Sequence, residues 1–213
     1  MHYFYMFASM ALFCIKSNAL VNIIAWPESP PPVEQTARMA RYIVHTSDWC
    51  TISTVNSYNS STMYPKARVY SFADGIDIFS TGIPYIYASL RDPEIQTLVI
   101  NNRSSVSVSL AQSDYCRQHN YDPEDPRCGQ VILTGQFSFS ANTQLISPLV
   151  ENGTQEYTTA RNSLFIRHPA MVYWPKSHHW KIGKLNIQEV QVVDNFGGSK
   201  YPSINEYFQA TPY

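Results

Sequence analysis

VILTGQFSF, residues 131–139, is the stretch from which the fold is read. Val131, Leu133, Phe137 and Phe139 hold one phase across Gly135, while Thr134, Gln136 and Ser138 hold the other. Successive side chains of a strand point to opposite faces, so this pattern predicts a strand with one buried and one wet face. Upstream, Val106, Val108 and Leu110 alternate with Ser105, Ser107 and Ser109 in the same way. Further strands are expected at 50–55, 67–72 and 84–89, separated by clusters of Gly, Pro and Asp. A last strand begins near Trp180. There Trp180 and Ile182 share a phase and Leu185 and Ile187 share the opposite one, so the spacing predicts a bulge at Gly183 between them.

Helical spacing intervenes between these strands. Ala37, Ala40, Ile43 and Val44 predict a short amphipathic helix over 36–45. A second, over 92–102, starts with Asp92 as its cap and Pro93 in its first turn. A third, over 153–168, carries Tyr157, Ala160 and Leu164 on one face and stops before Pro169, which disfavours helix in the residue ahead of it. The sum is an α+β domain over 36–213: six strands with helices inserted between them, the sheet closing into a barrel. There is no internal repeat and no second domain boundary.

Of the 213 residues only 15% are charged, against 44% hydrophobic, and the formal net charge is −1. That balance offers no basic field for direct nucleic-acid binding. The run from Tyr3 to Ile15 is apolar apart from Ser9, too short to span a bilayer but suited to the centre of a signal peptide. Ser17 and Ala19 have the spacing of a cleavage site, so residues 1–19 read as a signal peptide and 20–35 as a Pro-rich tail, with no membrane anchor. Asn59-Ser-Ser, Asn102-Arg-Ser and Asn152-Gly-Thr fit the N-glycosylation acceptor. Sugar on such sites would cover a surface poor in charge. Cys116 and Cys128 bracket a stretch full of turn formers, and a bridge there would close a small loop in an oxidising compartment. Cys50 is then the odd thiol, buried or available to another chain.

HPAMVYWPKSHHW, residues 168–180, gathers three of the six histidines and two of the four tryptophans. His178 and His179 are adjacent and would point to opposite faces of a strand, and His168 lies beyond two prolines, so they do not form a zinc set. GxSxG, HExxH, GxGxxG and GxxxxGK[ST] are all absent. The spacing therefore predicts packing histidines, with Trp174 and Trp180 covering the join of helix and barrel, and no catalytic or metal residues. A phosphate site needs convergent cations. Lys66, Arg68, Arg103 and Lys181 are scattered; Arg68 is the best single candidate for an anion contact and reads as a surface charge.

Several blocks resemble one family. SLFIRHPAMVYWPKSHHWKIGKLNI (163–187) followed by VVDNFGG (192–198) looks like the signature of the CREG family of secreted glycoproteins. VHTSDWCTIST (44–54), FADGIDIFSTGIPYIY (72–87) and LAQSDYCRQHNYDPEDPRC (110–128) extend the resemblance to roughly 36–208. It implies a six-stranded split β-barrel, the architecture of the flavin-dependent pyridoxamine-phosphate oxidases, assembled as a homodimer. In those flavoenzymes FMN lies at the dimer interface, its phosphate held by Arg, Lys and Ser or Thr. Proteins similar to this chain are expected to lack both flavin and activity. They act as extracellular or endolysosomal glycoproteins that influence growth and differentiation, with glycans able to engage a mannose-6-phosphate-type receptor. Two other readings stay open: an FMN-dependent oxidoreductase that keeps the interface flavin, and a haem-handling barrel using one of the clustered histidines. The chain departs from the family pattern at Cys50, where relatives tend to carry a small residue. It departs again at Asn186-Ile-Gln, which lacks the hydroxyl of a glycan acceptor.

Overall fold

The computed structural model of the chain describes residues 29–55, 64–76, 78–140 and 154–213. Its strands lie where side-chain alternation places them: β1 (Trp49–Val55), β2 (Pro65–Ala73), β3 (Tyr85–Ser89), β4 (Arg103–Ser109), β5 (Gln130–Phe139) and β6 (Trp180–Val193). All pair antiparallel, and the order β1-β2-β3-β6-β5-β4 closes into a barrel. Val106, Val108, Val131, Leu133 and Phe137 are buried in one cluster with Ile52, Phe72, Ile86 and Leu185. Each such side chain removed from water contributes roughly 1.5–3 kcal/mol, and that burial drives the closure.

Helices seal the barrel. α1 (Thr36–Thr46) packs against β4, β5 and β6 with Ala40, Ile43 and Val44 buried. α2 (Pro93–Ile100) starts where the Asp92 carboxylate accepts the Glu94 N–H at 3.0 Å. After the four-residue helix α3 (Tyr115–Gln118), Cys116 and Cys128 are joined by a disulfide. α4 (Gln155–Arg167) lies over β2, β3 and β6, burying Ala160 and Leu164. α5 (Ile204–Gln209) opens on a reciprocal cap between Ser203 and Glu206. Neither α3 nor α5 carries enough apolar repeat to be foreseen.

The expected bulge at Gly183 is not there. β6 stays in register through Gly183, which faces Ile86 on one side and Phe139 on the other. The extra residue is Gln188, between Glu189 opposite Thr134 and Ile187 opposite Gly135. The change of apolar phase that suggested a bulge has another cause: this half of β6 is covered on both faces. Leu185 belongs to the barrel core, whereas Ile182 joins Ala160, Leu164 and Met171 beneath α4. Gly183 is small because the Phe139 ring passes over it: a methyl there would meet Cε1 at 2.7 Å.

The end of the Pro-rich segment is tied to the body, with Lys200 donating to the Val33 carbonyl at 2.7 Å. The signal segment, Asn59 and Asn152 lie outside the described residues. Among the described residues no helix is long and apolar enough to cross a membrane.

Candidate functional site

Where β2 meets β3 the barrel is held by only two residue pairs, Phe72 with Ile86 and Ala73 with Tyr85. The earlier part of β2 diverges, and a cleft of about 450 Å³ opens between the two strands. That is within the range of small-molecule sites. One wall is polar. Arg68 reaches from β2 to the start of α2, 2.9 Å from the Asp92 carboxylate and 3.1 Å from that of Glu94. Tyr70 donates its hydroxyl to the other Asp92 oxygen at 3.1 Å. Burial, then the neighbouring Asp92 charge, pushes the Tyr70 phenol well above its ordinary range.

The opposite wall is aromatic and comes from the histidine stretch. Pro169 and Pro175 break the chain into two 3₁₀ turns, Pro169–Tyr173 and Lys176–His178. These carry Trp174 and Trp180 back over Tyr87 of β3, with ring centroids 6.0 and 5.1 Å away. Two hydrogen bonds fix the arrangement: Trp180 Nε1 to the Pro175 carbonyl at 2.9 Å, and Ser89 Oγ to the His178 carbonyl at 2.7 Å.

The three histidines do not converge. His168 donates Nε2–H to the Phe72 carbonyl at 2.9 Å, the His178 ring stacks on Trp180, and His179 is exposed in a left-handed conformation at φ 54°. Among the described residues no three His, Cys, Asp or Glu side chains come together as a metal site. Asn102 is exposed just ahead of β4. Cys50 is buried, which answers the question its odd count raised: burial pushes its thiol far above the ordinary value, away from the reactive thiolate.

FMN fits this cleft poorly. Its phosphate would need cations free to converge, and Arg68, the foremost candidate, is already engaged by two carboxylates, which leaves only Arg91 of the cations lining the cleft. Lys66 stands 3.8 Å from the same Glu94. Arg103 is exposed at the start of β4, across β1 from β2, so the scattered cations of the sequence are not gathered here.

A second polar group escaped notice in the sequence. Arg41 lies on the buried side of α1 and donates to the carbonyls of Ser80 at 2.7 Å and Ala210 at 2.9 Å. Beside it His45 meets Asp74 at 2.5 Å, and the other Asp74 oxygen accepts from Ser80 Oγ and from the Gly82 N–H. Tyr207 of α5 donates to the Gly82 carbonyl at 2.7 Å. The only sequence signal was a cation and an imidazole inside an apolar helical stripe. This network ties α1 and α5 to Asp74, Ser80 and Gly82.

Comparison with known proteins agrees with the barrel and its signature blocks. Residues 31–209 match the family described as CREG, beta-barrel. The chain is 35% identical to Protein CREG1 of Gallus gallus over 95% of its length and all of the relative's. It is 35% identical to Protein CREG1 of Homo sapiens, covering 85% of this chain and 77% of that one. In structure it resembles a heme binding protein from Mycobacterium smegmatis, with a TM-score of 0.62 at 18% identity, over 86% of this chain and 62% of the other. A general-stress-protein-26-related protein of the pyridoxinephosphate oxidase family from Clostridium acetobutylicum gives a TM-score of 0.50 at 10% identity, covering 82% and 99%. At such identities these two likenesses speak for the split-barrel architecture alone. With the family match over most of the barrel and relatives above 30% identity along nearly the whole chain, the protein belongs to the CREG family.

Proposed function

We propose that this protein is a secreted, non-enzymatic glycoprotein. It acts as a homodimer on cell growth and differentiation through a cell-surface or mannose-6-phosphate-type receptor, and it is delivered in part to endolysosomes. The observation that carries the non-enzymatic part is the commitment of Arg68 to Asp92 and Glu94, which leaves Arg91 alone at the mouth of the cleft where a flavin phosphate needs convergent cations. The apolar leader, the acceptors at Asn59, Asn102 and Asn152, and the Cys116–Cys128 bridge favour secretion.

Homodimerisation is favoured by the outer face of the barrel. Thr51 has Val69 and Ser107 as its cross-strand neighbours, and Ser53 has Ala67 and Ser105. Two rows across three strands thus carry no charge, and their small side chains allow another sheet to approach closely.

The visible spectrum of purified secreted protein is the test. A colourless, glycosidase-sensitive dimer is expected. Flavin or haem absorption in stoichiometric amount would replace this reading with the FMN-dependent oxidoreductase or the haem carrier. Gel mobility unchanged by N-glycan removal, or a monomeric mass by light scattering, would overturn the corresponding part.

A further inference from the structure

We propose that the cleft between β2 and β3 is a carbohydrate subsite that takes a single pyranose ring, with Trp174 as its stacking surface and Arg91 at its mouth. A planar heteroaromatic ligand is best held in a slot with an aromatic face on each side. In this cleft the stacked rings stand on one side, Trp174 and Trp180 4.8 Å apart over Tyr87, while the single ring opposite, Tyr70, has the Arg68 guanidinium 5.8 Å from its centroid. The facing wall is hydroxyl and charge, from Arg68, Asp92, Tyr70 and Ser71. An apolar wall against a polar one matches a sugar ring, whose C–H face packs on an aromatic surface and whose hydroxyl rim needs donors and acceptors.

The groups already satisfied narrow the choice further. Arg68, Asp92 and Tyr70 are bonded to one another, and Ser89 is bonded to the His178 carbonyl. Among the described residues nothing engages the Arg91 guanidinium, the Ser71 hydroxyl or the Trp174 indole N–H, and all three line the cleft. The remaining capacity is mostly that of donors, which suits a ligand rich in oxygen acceptors, and Arg91 would face a carboxylate if the sugar carries one. Trp174 is half-buried, held without being sealed in.

Tryptophan fluorescence and calorimetric titration of the full-length secreted protein test this. The probes are methyl glucopyranoside, methyl galactopyranoside, methyl mannopyranoside and glucuronate, then an oligosaccharide ending in the preferred sugar, and FMN as competitor. Saturable binding is expected at a Kd of about 1 mM or tighter for at least one sugar. Trp174→Ala should weaken it at least tenfold while Trp174→Phe retains most of it, both with unchanged circular dichroism. Arg91→Ala should weaken glucuronate more than the neutral sugars. Tighter binding of the oligosaccharide would mark a glycoprotein glycan as the source, and equal binding a free sugar. No saturable binding up to 20-fold above that Kd, an affinity indifferent to Trp174→Ala, or displacement of the sugar by FMN would each overturn the assignment.

Discussion

His45 on α1 and Asp74 at the end of β2 share a hydrogen bond of 2.5 Å with both side chains fully shut off from water. Burial by itself would raise the Asp74 carboxyl. The His45 hydrogen bond and charge, with Ser80 and the Arg167 charge, outweigh it and hold the group below its ordinary value of 3.8. A carboxylate depressed in the folded state stabilises the fold above its unfolded value, and the contribution is lost as pH falls through the folded one. The protein should therefore lose stability steeply below about pH 3.8, as read from urea midpoints against pH. Asp74→Asn should cost about 3 kcal/mol at pH 7 and flatten that acid limb. An unchanged limb would mean another group controls it.

Trp180 is half-buried, so its removal costs less than loss of a sealed core residue. Trp180→Ala should destabilise by about 2 kcal/mol, and His178→Gln by under about 0.5 kcal/mol. His179→Gly, at a left-handed position, should be neutral or stabilise by up to about 1 kcal/mol. Thermal midpoints of the three variants check the order; a larger loss at either histidine would show that the stretch does more than pack.

The bridge between Cys116 and Cys128 spans 12 residues of sequence. Replacing both with Ser should cost roughly 3 kcal/mol, mostly by freeing the unfolded chain. Denaturant titrations of both forms would show a lowered midpoint; equal midpoints would mean that the cation–π contact of Arg127 over Tyr121 suffices to hold the loop.

Gly183→Ala places a methyl against Phe139 and, at 3.1 Å, against Ile86. A loss of about 1–3 kcal/mol is expected. Gln188→Ala, in the actual bulge, should change the midpoint by under about 0.5 kcal/mol. Similar losses at both sites would count against the register described for β6.

The barrel was legible because its strands alternate: β4 and β5 present mostly Ser, Thr or Gln to one side and mostly Val, Leu or Phe to the other. Alternation misled at Gly183 because it assumes one buried face, and α4, the helix just ahead of β6 in the chain, covers the second. The aromatic wall was visible as composition, since prolines and tryptophans in a short run announce a packed corner. Its facing wall was not, because Arg68 and Asp92 lie 24 positions apart and only the divergence of β2 brings them together. Arg41 was hidden for a similar reason: its carbonyl partners are backbone groups, which leave no mark on side-chain pattern.

The two-pair junction of β2 with β3 contrasts with the ten pairs joining β5 to β6. A closed barrel is no tougher in its slow motions than its shortest seam, because opening there breaks the fewest inter-strand bonds. Amides that bond across this two-pair junction should accordingly exchange with solvent by local opening, well before those of the β5–β6 ladder. The cleft sits on that seam, so a molecule filling it would slow exchange in β2 and β3 together. Such a footprint would reveal occupancy without any knowledge of the occupant.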